Sequence, residues 1–142
     1  MKKVLSLLIC IMMVSVVAFS FAACGAKTGK YKFYGVKVDN TEIKLKDMTD
    51  AQKLLYNTSS REGDYIKLSG NNNFVDYNVS VNTSSDKYKT EVLRYGVYEI
   101  YDEKLVLDFA PKDQNESDEY VIRDGKIYVP SDHPNCYYVF KK

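Results

Sequence analysis

The sequence predicts an all-β fold: an antiparallel up-and-down β-barrel of about eight strands with one short helix, preceded by an apolar N-terminal segment. Three observations predict it. From Tyr65 onward, apolar residues recur at every second position, the period of a strand with one buried face. Tight-turn sequences separate these stripes, Asp124-Gly125 being the strongest, because both central positions of a type I′ turn need positive φ. Only Met48 to Tyr56 carries a helix-start signature.

The elements follow in order. Met1-Lys2-Lys3 is a positive head, and Val4 to Ala23 is uncharged and apolar apart from three serines. A positive head, an apolar middle and small residues before a cut site make a secretory signal peptide, here residues 1–23. The competing reading is a retained membrane helix, since about 20 apolar residues can span a bilayer. The quartet Phe21-Ala22-Ala23-Cys24 favours cleavage, because it resembles the bacterial lipobox. That resemblance implies a diacylglycerol on the Cys24 thiol, cleavage before it, fatty acylation (palmitate) and an extracytoplasmic protein tethered to the bacterial membrane. Residues 24–29 then form a lipidated tether reaching at most about 15–20 Å, and 30–142 the folded domain.

In that domain, Tyr31 to Val38 is the first strand, with a phase shift at Gly35 that suggests a bulge. Thr49-Asp50-Ala51-Gln52 fits a capping box, and Ala51, Leu54 and Leu55 share a face of the helix it starts. Ile66 and Leu68 alternate. Val75, Tyr77, Val79 and Val81 form the next stripe, and Tyr88, Thr90 and Val92 another. Gly96 opens a further strand through Tyr98 and Ile100, and Asp102-Glu103 turns into Leu105, Leu107 and Phe109. Tyr120 and Ile122 turn at Asp124-Gly125 into Ile127 and Val129, and Cys136 to Phe140 closes the domain. A meander with one apolar face per strand buries that face by closing into a barrel, which also removes exposed edges.

This order is similar to the small lipocalin-like, calycin-type domains of bacterial lipoproteins. The residues that carry the resemblance are Gly29-Lys30-Tyr31, Gly96-Val97-Tyr98 and Glu103-Lys104-Leu105-Val106-Leu107. It implies an eight-stranded barrel and, in some members, a small hydrophobic ligand; it implies no reaction.

Composition bounds the partners. The formal charge is +1, and falls to −1 once Lys2 and Lys3 leave with the signal, so neither nucleic acid nor a patch for anionic lipid headgroups is evident. Cys10 lies in the signal and Cys24 is the anchor, which leaves Cys136 alone with no intrachain disulfide. The loop Ser131-Asp132-His133-Pro134-Asn135-Cys136 holds the only histidine, but neighbours along one loop rarely converge on one atom, and these residue types favour turns. The acidic run Asp113 to Glu119 lacks the spaced ligands and glycine of a calcium loop and reads as solvated. The N-x-S/T triplets at Asn57, Asn78, Asn82 and Asn115 reflect an asparagine-rich chain. No catalytic residue, metal site or cofactor is expected.

The surplus is tyrosine, 13 against 6 phenylalanines. Tyr77, Tyr98, Tyr120 and Tyr138 share the phase of their strands' aliphatic residues and so point inward, either as core or as the lining of a ligand site. Tyr128 falls in the outward phase. Two functions follow: a monomeric membrane-anchored barrel binding a small apolar or amphipathic ligand, or a filled barrel whose outer tyrosines and loops bind a surface protein or cell-wall polymer, for example as an inhibitor.

Overall fold

The computed structural model describes residues 27–82, 87–110 and 117–142. The signal segment, Cys24 and residues 113–116 of the acidic run lie outside them. Nine strands form one antiparallel sheet: β1 (Gly29–Val38), β2 (Thr41–Lys44), β3 (Tyr65–Leu68), β4 (Asn73–Asn82), β5 (Lys87–Tyr101), β6 (Lys104–Phe109), β7 (Ser117–Arg123), β8 (Lys126–Pro130) and β9 (Cys136–Lys141). From β3 to β9 each strand pairs with the next, β3 also pairs with the first half of β1, and β9 returns to β1. Eight strands therefore close into a barrel, and β2 is an extra strand on the second half of β1.

Strand alternation fills the interior. Tyr31, Phe33, Val36, Leu68, Phe74, Leu105, Ile122, Ile127 and Phe140 are buried, and their neighbours along each strand face outward. The bulge expected at Gly35 is present as a register shift between Phe33 and Gly35. Glycine is required there because a Cβ would stand 2.1 Å from the carbonyl oxygen of Ile43 on β2. The Asp124-Gly125 turn has φ of 52° and 69°, the pair of positive angles that a type I′ turn demands.

Three expectations are corrected. The runs at Tyr88–Val92 and Gly96–Ile100 belong to the single strand β5, which carries a bulge between them: Asp76 pairs with Arg94 and Tyr77 with Val92, leaving Leu93 unmatched. Among the described side chains of β4, Phe74 and Asp76 are buried and Val75 is half-buried, the reverse of the phase read at Val75. Phe74 sits opposite Gly96, whose missing side chain admits the ring; a Cβ at Gly96 would lie 3.0 Å from Phe74 Cε1 and 1.9 Å from the Asp108 carbonyl oxygen. A one-residue change of register exchanges the faces of a strand, and this aromatic-glycine pair sets which face goes in.

The third correction concerns Tyr128. It stands on the outer wall yet is only 7% exposed, because Glu42 of β2 reaches over and accepts its hydroxyl at 2.8 Å. The sequence gives no sign that β2 would double back over the wall.

Helix α1 (Asp50–Leu55) begins with the expected capping box: Gln52 N–H donates to Thr49 Oγ1 at 3.2 Å, and Thr49 N–H to Gln52 Oε1 at 2.9 Å. It buries no residue, and Leu54 and Leu55 are exposed. The insertion between β2 and β3 is held instead by buried Met48 and by Thr58, whose hydroxyl donates to the Lys53 carbonyl at 3.3 Å. Among the described residues no helix is long and apolar enough to cross a membrane.

Candidate ligand cavity at the open end of the barrel

The two ends of the barrel are built differently. At the end where β1 begins, Tyr31 and Tyr98 plug the interior, their hydroxyls donating to the backbone carbonyls of Lys27 (2.6 Å) and Ser69 (2.7 Å). Burial and the neighbouring Tyr98 push the Tyr31 phenol above its ordinary pKa. Tyr98 is thus buried, as expected, but does not line the cavity described next.

The opposite end holds a cavity of about 620 Å³. Ile66, Val129 and Phe140 give it an apolar wall; Arg61, Arg94, Asp118, Tyr120 and Tyr138 give it a polar one. Tyr120 and Tyr138, both expected inward, line it. The side chain of Tyr77 lies outside the described part of the structure.

Arg94 organises the polar wall. Its Nη2 donates to Asp76 Oδ2 at 3.0 Å and to the Tyr120 hydroxyl at 2.9 Å, and its Nη1 to Asp118 Oδ2 at 2.9 Å. The Tyr120 hydroxyl donates in turn to Asp118 Oδ2 at 2.7 Å, and the guanidinium lies 4.8 Å from the Phe109 ring centre. This network satisfies the groups it buries: among the described residues no buried side-chain nitrogen or oxygen lacks a partner.

The electrostatics follow from the geometry. Burial lifts the Asp76 carboxyl above its ordinary pKa, against the opposing bonds from Arg94. Burial would lower the Arg94 pKa, but Tyr120 and Asp76 more than offset it, so the guanidinium stays charged. Burial and the bond to Asp118 push the Tyr120 phenol up to about 12, against Arg94, so it keeps its proton at neutral pH.

Arg61 forms the opposite rim. Its guanidinium lies 4.0 Å from the Tyr138 ring centre and 3.9 Å from Asp64, which also accepts from Asn78 Nδ2 at 3.1 Å. The Tyr138 hydroxyl donates to the Tyr56 carbonyl at 3.2 Å, fastening the insertion across this end. The mouth therefore presents fixed donors and acceptors beside apolar surface. That arrangement suits a ligand with a polar head and an apolar body.

His133, the histidine of the loop singled out in the sequence, is exposed and stacks edge-on against Tyr56 with ring centres 5.4 Å apart. Its backbone N–H donates to Ser131 Oγ at 3.2 Å, within a turn that ends at buried Cys136. The residues that the sequence reading missed are Arg61, Asp76, Arg94 and Asp118. Asp76 had a signal: an acid two positions from Phe74, in the phase of a buried residue. Its partner could be found only once β4 and β5 were paired.

A broader groove, about 990 Å³, runs over the outer wall and is lined by Lys37, Tyr101, Val121, Arg123, Tyr128 and Tyr137.

No family model and no curated protein matches the chain. Among solved structures it is similar to an uncharacterized protein from Bacteroides eggerthii, at 14% sequence identity and a TM-score of 0.44, over 82% of this chain and 98% of that one.

Proposed function

We propose that this chain is a lipid-anchored extracytoplasmic protein of the lipocalin-like kind, and that its barrel takes a small amphipathic molecule into the open end. One observation carries the binding reading: a cavity of about 620 Å³ in which an Arg94–Asp76–Asp118–Tyr120 network faces the apolar Ile66, Val129 and Phe140. Its volume is within the range of about 300–1,000 Å³ typical of small-molecule sites. The anchor reading rests on Phe21-Ala22-Ala23-Cys24.

Native mass spectrometry of the full chain purified from its producing cells tests the binding reading. A small molecule is expected to co-purify with the wild type and to be lost in Arg94→Met. The anchor is tested separately with Cys24→Ala, which is expected to accumulate as an uncleaved precursor that takes up no labelled fatty acid; equal labelling of both chains would sink the lipobox reading.

The outer groove supports a second reading, an interaction protein for another surface protein or polymer. Tyr101 is 56% and Tyr137 38% exposed there, beside exposed Val121. Tyr137→Ala would then lower partner capture while leaving small-molecule binding intact.

A further inference from the structure

The closed end of the barrel gathers positive charge that the sequence disperses. On the four adjacent strands β3, β1, β9 and β8, the outward positions nearest this end are Lys67, Lys30, Lys32, Lys141 and Lys126. The fold sets several directly opposite one another: Lys30 across from Lys67, Lys32 across from Lys141, and Lys126 across from Lys141. Like charges facing each other across strands lower stability, so this placement works against folding. Lys126 is matched by Glu42 at 2.6 Å. Among the described residues no carboxylate forms an ion pair with Lys30, Lys32, Lys67 or Lys141, all of which are exposed. The acids at this end, Asp102, Glu103 and Asp124, sit in the turns of the neighbouring strands, and Glu103 lies 3.9 Å from Arg123. Among the described residues the insertion at the open end is mixed in charge, with Asp47, Asp50 and Glu62 beside Lys46, Lys53 and Arg61.

The chain enters the barrel within this basic arc. Gly29, the first residue of β1, packs beside the Lys142 side chain, and only four residues separate it from Cys24. We propose that the arc Lys67–Lys30–Lys32–Lys141 is a seat for an anionic bilayer surface, holding the closed end against the membrane and turning the ligand cavity outward. This rests on the reading of the chain as an exported, membrane-tethered protein. The tether is too short to let the domain reorient far from the surface, so a modest attraction suffices to choose the face. Each basic residue near an anionic leaflet gains about fivefold in binding, an effect that fades within a Debye length of about 8–10 Å.

Lysine acylation of the full chain reconstituted in vesicles tests this, read residue by residue by mass spectrometry. On vesicles containing phosphatidylglycerol, acylation of Lys30, Lys32, Lys67 and Lys141 is expected to slow about fivefold or more, while Lys46 and Lys53 in the insertion are unchanged. The protection should vanish on pure phosphatidylcholine and in about 0.5 M salt, where screening is short-ranged. Equal protection at both ends, or protection that ignores lipid charge, overturns the proposal. The intact mass of the same sample shows whether Cys24 carries diacylglycerol. A chain lacking it keeps the apolar segment and remains tethered, so the lysine pattern reports on the seat even if the lipid anchor fails.

Discussion

Two consecutive inward pairs on the same two strands show how one barrel acquires two characters. Phe74 opposite Gly96 is an aromatic ring fitted over a glycine, and it belongs to the closed half. Asp76 opposite Arg94, one pleat further along, is an ion pair, and it opens the other half into a cavity. The backbone is the same extended ladder in both. An apolar pair gains by excluding water and needs no exact partner beyond shape. The ion pair is only partly buried, the Asp76 carboxylate inside and Arg94 half-exposed; it must be desolvated in part and bonded, so its net contribution to folding is small. Under the proposed function, the closed half serves stability and the open half binding.

The largest expected effect comes from the aromatic pair. Phe74→Ala should lower unfolding free energy by about 3–5 kcal/mol in urea titrations, with ligand binding by the surviving folded protein unchanged. A loss below about 1 kcal/mol would remove the distinction between the halves.

The ionic pair should respond less in stability and more in binding. Arg94→Met leaves the buried Asp76 carboxylate without its donor and should cost about 1–3 kcal/mol. Arg94→Met combined with Asp76→Leu should recover much of that loss, because replacing both members of a buried pair with apolar groups is often neutral. A double variant that is less stable than the single one would show the pair to be structural, like Phe74.

How much of this was legible in the sequence also divides along the same line. The Asp124-Gly125 hairpin and the Thr49–Gln52 capping box are local signals, and each produced the element it predicted; the period-2 stripes gave strands, though two of them merged into β5. The inward placement of Tyr98, Tyr120 and Tyr138 followed from the same alternation. The bulge at Leu93 was not legible, because it is a property of two strands together. The cover that Glu42 puts over Tyr128 joins residues far apart in the chain through β2, a strand too short to announce itself. The Arg94 network and the lysine arc are likewise assembled only by closure of the barrel.

The smallest effect is expected on the outer wall. Burial would raise the Glu42 pKa, but its bonds with Lys126 and Tyr128 more than offset this and hold it below the ordinary value. A lowered folded pKa gives stability that is present above the unfolded value and lost as pH falls through the folded one. The stability difference between wild type and Glu42→Gln should therefore shrink as pH drops below about 4.5, from a plateau below about 1 kcal/mol. Asp76 has the opposite sign: its raised pKa favours folding in acid, and that contribution is lost as pH rises through it. A difference for Glu42→Gln that stays constant with pH would contradict the ionic account of β2 docking.

The most direct test of the open half as a binding site is titration of the full chain with phenylnaphthylamine, an apolar fluorophore bearing one N–H donor. The account predicts saturable fluorescence at about one site per chain, and a rise in melting temperature corresponding to about 2.7 kcal/mol at a hundredfold excess over Kd. It also predicts that Arg94→Met weakens the binding and Phe74→Ala does not. Fluorescence that climbs without saturation while the melting temperature stays fixed would contradict it.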